Sequence, residues 1–273
     1  MEKTRIRNPV VAGQFYLSSA AALQKQIEQF LPEKTEKQAV IACMMPHAGY
    51  VYSGMVAVAV ASAISIPDTV ILLGPNHTGY GKQFSIMTGM SWRTPLGDLP
   101  VDTELARGIL ARSKYLEEDA LAHEYEHSLE VELPILQYFR KDFSIVPIAV
   151  SSEDPGVLGT IGEEITSVIR ERKQKGSVLI VASSDMTHYE PQETAERKDN
   201  EAIGAILELN EQKLALNVRR FGITMCGYAP VVIMLRAAKV LGAKQAKLIK
   251  YQTSGDISGD RKNVVGYAGI TIF

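Results

Sequence analysis

Three apolar runs, each broken by proline, glycine or serine and then followed by a histidine, constrain this chain more than any other feature. Residues 40–45 run into Pro46-His47-Ala48-Gly49-Tyr50, residues 69–73 into Gly74-Pro75-Asn76-His77, and residues 176–184 into Asp185-Met186-Thr187-His188. Short runs without polar alternation read as strands buried on both faces. Pro46 biases its predecessor toward extended backbone, and Gly49 and Gly54 let the chain turn sharply. Residues 54–66, rich in alanine and valine and apolar nearly all round, read as a buried helix. Strand, helix, strand makes a βαβ unit, whose strands are parallel and end on one side. That side is where open α/β sheets bind ligands. If the two strands are near neighbours, His47 and His77 point into one crevice.

The remaining chain fits the same class. Residues 5–18 form an aromatic-anchored loop through Phe15 and Tyr16, and Ser18-Ser19 lead into a helix over 20–30. Residues 84–88 alternate as a strand, 93–100 are loop or hairpin, and Asp102 caps a helix reaching Arg112. Residues 123–134 are the densest stretch of ionisable groups. Helical spacing of Leu129, Leu133 and Leu136 puts His127 and Glu130 on one face, with Pro134 demanding a kink or a helix that begins near it. His123, outside any strand context, reads as a surface residue. A strand over 143–150 contains Pro147, which argues for an edge position or a bulge. Helices follow at 157–172, within 195–220 and at 231–241, then strands at 247–252 and 266–272 with a polar loop, 254–261, between them.

Composition removes whole classes of function. The 29 basic and 31 acidic residues leave a net charge of -2, which argues against nucleic acid as a partner. No run approaches the roughly 20 apolar residues of a membrane span, and the charged start is not followed by a signal-peptide core. With two cysteines in unlike contexts, no disulfide scaffold is expected and a cytoplasmic setting is. Cys43 lies inside an apolar strand and reads as a small core residue. Cys226 precedes a helix, where the macrodipole favours thiolate, making it the more reactive of the two. Met44, Met45, Met225 and Met234 read as core fillers. Tyr50, Tyr52, Phe15 and Trp92 read as core or loop anchors, with the wall of a site as the alternative.

Imidazole, carboxylate and thiolate thus collect at places expected to converge. Asp185 and His188, three residues apart, would face one ligand if the turn between them is helical. Two imidazoles and one anionic ligand suit non-haem Fe(II), whereas a thiolate in the anionic position favours softer metals, copper or zinc among them.

The sequence resembles the Memo family, whose bacterial and archaeal members are also called AmmeMemoRadiSam system protein B. The resemblance rests on Ala12-Gly13-Gln14-Phe15-Tyr16, Pro46-His47-Ala48-Gly49-Tyr50, Gly74-Pro75-Asn76-His77, Arg93-Thr94-Pro95-Leu96, Glu126-His127-Ser128-Leu129-Glu130, Ser183-Ser184-Asp185-Met186-Thr187-His188 and Cys226-Gly227, in order over nearly the whole chain. It implies one domain over residues 1–273, an α/β fold with a mixed, mostly parallel central sheet flanked by helices, similar to LigB-like class III extradiol dioxygenases. Carried over residue by residue, it places metal ligands at His47, His77 and Cys226, with Asp185 and His188 lining the pocket. Cysteine stands where extradiol enzymes use glutamate, which argues against catechol ring cleavage. The prokaryotic family name further implies a pathway shared with radical-SAM and AMMECR1-domain proteins.

Three functional expectations follow. The leading one is a metal-dependent redox protein in which His47, His77 and Cys226 hold iron or copper, Asp185 orients a ligand, and His188 or His127 moves protons. The second is a non-catalytic site for a phosphorylated peptide or another anionic small molecule. The third is zinc hydrolysis.

Overall fold

A computed structural model describes residues 5–172 and 177–273. Among them, nine strands form one mixed sheet in the order His188–Glu190, Val264–Ile272, Ala42–Met45, Val178–Ser183, Thr69–Pro75, Ser144–Val150, Phe84–Ile86, Glu117–Glu118, with Ala246–Thr253 paired to Val264–Ile272 as a long antiparallel partner. The four central strands, Ala42–Met45 to Ser144–Val150, are mutually parallel, and antiparallel pairs flank them. They are apolar and buried along their length because helices cover both faces. Gly176, in the expected third strand, lies outside the described residues.

Helix Tyr50–Ala63 carries the chain from Ala42–Met45 to Thr69–Pro75, skipping one position that Val178–Ser183 fills. The strands expected to be near neighbours are therefore one strand apart, with the third strand of the pattern between them. Registers pair Met45 with Ser183 and Leu73 with Ala182, so the three strands end at nearly one level. Their following residues all emerge at one edge. The helix starts four residues before the sequence reading places it. Gly54 is not a turn but an interior helix residue, and a Cβ there would stand 2.7 Å from the ring of Phe30.

Several expectations hold in detail. Asp102 caps helix Thr103–Arg112 by accepting a hydrogen bond from the Leu105 N–H. Residues 93–100 fall in a hairpin, Ser91–Thr94 with Gly97–Pro100, which Ile6–Arg7 joins as a third strand. Cys43 and the four methionines named above are buried.

Others are corrected. Pro147 sits in an inner strand without a bulge, because its polar edge faces the point where the short strand Phe84–Ile86 ends. There the Met87 N–H donates to the Pro147 carbonyl, and Ile148 is the last paired residue. The ladder stops where proline has no donor to give. Of the two alternatives that Pro134 left open, a helix beginning near it is the one found: a single turn, Leu121–Glu124, is followed by an irregular turn and then by helix Glu132–Phe139. The break arises because Glu126 and Glu130 turn their carboxylates onto backbone N–H groups. Pro134 falls in the first turn of the new helix, where a missing N–H costs nothing. His127 and Glu130 consequently share no helical face.

His123 is not at the surface but fully buried, its ring edge-on to Trp92 at 5.8 Å. Burial, reinforced by the nearby Arg7 charge, lowers its pKa from 6.5 to about 4. The unfolded chain therefore takes up a proton at a pH where the folded chain does not. The stability contributed by neutral His123 is present above about pH 6.5 and is lost as pH falls toward 4. In urea titrations across that window, His123→Phe should flatten the slope of stability against pH. An unchanged slope would contradict the assignment.

Among the described residues no helix is long and apolar enough to cross a membrane.

Candidate metal centre

The site is assembled at the carboxyl edge of the parallel strands. His47 follows Ala42–Met45, His77 follows Thr69–Pro75, and Cys226 comes from the turn before helix Tyr228–Leu241. One ligand atom from each lies within 4.8 Å of the others. His47 Nε2 and Cys226 Sγ are 3.3 Å apart. The approach of Cys226 depends on Gly227, because a Cβ at that position would stand 2.3 Å from the Ser183 carbonyl oxygen.

Both histidines are held by their other nitrogen. His77 Nδ1 is 3.0 Å from Glu126 Oε1, and the His77 backbone N–H donates to Glu126 Oε2. Glu126 Oε1 also accepts from the His127 and Ser128 N–H groups, at 2.8 Å each. Burial works to raise the Glu126 pKa, but the His77 hydrogen bond and charge, the Ser128 N–H and the His127 charge outweigh it and hold it at about 2. His47 Nδ1 rests on the Ser183 hydroxyl at 2.8 Å. Burial, then the charges of His77 and His127, push the His47 pKa well down, so its imidazole is neutral. A neutral imidazole at His47, with the far nitrogens of both histidines anchored, suits a cation site.

The other expected residues surround this set. His127 stacks on His77 with ring centroids 4.9 Å apart, lies 5.6 Å from His47, and meets Phe15 edge-on at 4.8 Å. Burial lowers its pKa against the opposing pull of Glu126. Asp185 Oδ1 accepts from the His47 N–H at 2.8 Å, and the Asp185 N–H donates to Cys226 Sγ at 3.3 Å. Burial raises its pKa to about 6, opposed first by the His188 charge and then by the His47 and Ala48 N–H groups.

Two expectations fail here. The turn from Asp185 to His188 is not helical: Met186 N–H bonds to the Gly266 carbonyl, and His188 opens the strand His188–Glu190. His188 Nδ1 is tied to the Met186 and Thr224 carbonyls, at 2.7 and 3.0 Å. Cys226 does precede a helix, yet burial and then the Asp185 charge push its thiol up rather than down. Desolvation outweighs a helix terminus, so thiolate here needs a positive charge that the protein groups do not supply.

Of the aromatics for which the wall of a site was the alternative reading, Phe15 borders the site through His127, whereas Trp92 packs on His123 and Arg7. Sequence reasoning gave no role to Glu126, Ser183 or Glu132. The one available signal was that Glu126 and Ser183 lie inside the motifs quoted above.

The family model for Memo-like proteins matches residues 7–271. The chain belongs to the Memo family. It is 43% identical over 269 residues to a MEMO1 family protein of Methanosarcina barkeri, covering 98% of this chain and all of that one. It is 44% identical over 268 residues to a MEMO1 family protein of Aquifex aeolicus, covering 97% and 98% of the two chains. A crystal structure of an uncharacterized Escherichia coli K12 protein superposes with a TM-score of 0.58 at 14% identity, covering 84% of this chain and 98% of that one. That likeness concerns the fold alone.

Proposed function

We propose that this Memo-family chain is a metal-dependent redox protein, with iron or copper held by His47, His77 and Cys226. The observation that carries the reading is the joint one: three soft or borderline donors within 4.8 Å, with both imidazoles anchored behind by Glu126 and Ser183. A cation held by His47, His77 and Cys226 would stabilise the Cys226 thiolate once its proton has left to solvent, and would supply one-electron chemistry. The protein groups do the rest. Asp185 holds the backbone of the loop carrying His47 and faces Cys226, while His127, neutral and stacked on His77, accepts a proton from a ligand in the pocket. A metal held by two imidazoles and one thiolate would have room left for a small-molecule substrate or dioxygen.

Copper(II) added to the purified protein should produce a thiolate-to-metal absorption band that Cys226→Ser lacks. The bound copper should be reduced by ascorbate and reoxidised by dioxygen without leaving the protein. A band of equal strength in Cys226→Ser would refute the ligand set. Preference for zinc with no response to oxygen would favour hydrolysis, and anion binding indifferent to chelator would favour a binding module.

A further inference from the structure

Ser183 closes the strand between those that carry His47 and His77, and its hydroxyl is approached by three polar atoms. His47 Nδ1, the Ser128 carbonyl oxygen and Glu132 Oε1 each lie 2.8 Å from Ser183 Oγ. All four residues are buried, His47 being the most exposed at 2%. Contacts this short between electronegative atoms each need a proton between them. A serine hydroxyl has one proton to give and two lone pairs to receive with. The Ser128 carbonyl carries no proton, so the Ser183 proton goes there. The other two must come from the partners: an N–H at His47 Nδ1 and an O–H on the Glu132 carboxyl.

We propose that Ser183 and Glu132 are positioning residues that lock His47 with its proton on Nδ1, so that the Nε2 lone pair faces Cys226 Sγ and the shared cation position. The proposal deepens the metal-centre reading and rests on it for its purpose, though the tautomer itself is a property of the protein alone. Independent features agree with the proton count. Glu132 Oε2 is buried and has no hydrogen-bond partner among the described residues, which a carbonyl oxygen tolerates far better than a charged one. Burial, with Asp185 adding to it and Ser183 opposing, pushes the Glu132 carboxyl well up. His47 Nε2 is already 3.3 Å from Cys226 Sγ. The arrangement resembles in logic the carboxylate behind His77, but with an uncharged acid acting through a hydroxyl. One ligand is thus backed by an ionised glutamate and the other by a neutral one.

The test uses two readouts. Nitrogen-15 NMR of the metal-free protein labelled at histidine, with His47 assigned by the signals missing from His47→Gln, should show His47 protonated at Nδ1. Protonation at Nε2 instead would overturn the proposal. Affinity for copper(I) is then measured by competition with a chelator. Ser183→Ala and Glu132→Leu should each lose about 10- to 100-fold, the range for partners behind a metal-bound histidine. Glu132→Gln should stay close to wild type, because its amide N–H replaces the acid O–H and its carbonyl takes the place of Oε2. If Glu132→Gln falls as far as Glu132→Leu, the residue acts as an ionised acceptor and the relay is wrong. Should Ser183→Ala not fold, the wild-type tautomer and the glutamine variant decide the matter. Absence of metal binding in every form would sink the metal-centre reading, while the NMR result would still decide the relay.

Discussion

Replacing Glu130 by alanine is expected to destabilise the protein by about 3–5 kcal/mol, the cost of breaking a buried ion pair by removing one member. Glu130 is fully buried and lies 2.6 Å from Arg7 Nη1, while also accepting from the Val10 and Val11 N–H groups and the Tyr16 hydroxyl. Arg7 in turn donates to the His123 and Glu126 carbonyls and lies over the Trp92 ring. The cluster ties residues 7–16 to the turn that carries Glu126 and His127. Without the carboxylate, Arg7 keeps its charge in the core and three donors lose their acceptor. Urea unfolding of Glu130→Ala tests this. The double replacement Arg7→Leu with Glu130→Leu should lose less than the sum of the two single changes, because no uncompensated charge remains. A loss below about 1 kcal/mol for Glu130→Ala, as for an ordinary surface change, would contradict the role.

Glu126→Gln should lower affinity for a transition metal by about 10- to 100-fold. The glutamate receives four donors, the His77 N–H and ring Nδ1 and the His127 and Ser128 N–H groups. Glutamine offers a single acceptor oxygen, and with that oxygen at Oε1 its NH2 is turned toward the His77 backbone N–H. The His77 ring then keeps an acceptor at Oε1 but loses the negative charge that raises its basicity as a ligand. Chelator competition with copper(I) provides the measurement. Affinity equal to wild type would mean that Glu126 braces the turn without acting on His77.

These predictions concern groups that the linear sequence left without a role, and the reason is physical. Strand ends and helix caps depend on near neighbours, so the three apolar runs, the Asp102 cap and the convergence of His47 with His77 could be read from residues a few positions apart. Glu126, Ser183 and Glu132 act on histidines far away in sequence, 136 residues in the case of Ser183 and His47. Only the interleaving of strand Val178–Ser183 between its two neighbours makes them partners. Tertiary context also reversed two local inferences. His123 lacks strand context yet is buried beside Trp92, and Cys226 stands before a helix yet is governed by burial and Asp185. Pro147 is tolerated inside the sheet because the neighbouring strand ends beside it, which depends on the length of another segment. His127 and Glu130 do not share a helical face because the glutamates around them accept from backbone N–H groups, Glu126 from Ser128 and His77 and Glu130 from Val10 and Val11.

The central claim is that His47, His77 and Cys226 hold one redox-active metal between them. Its most direct test is the metal content of protein purified without a chelating tag, measured by mass spectrometry for wild type, His47→Ala, His77→Ala and Cys226→Ala. The account predicts stoichiometric iron or copper in wild type and near-complete loss in each variant; the same substoichiometric metal in all four proteins would contradict it.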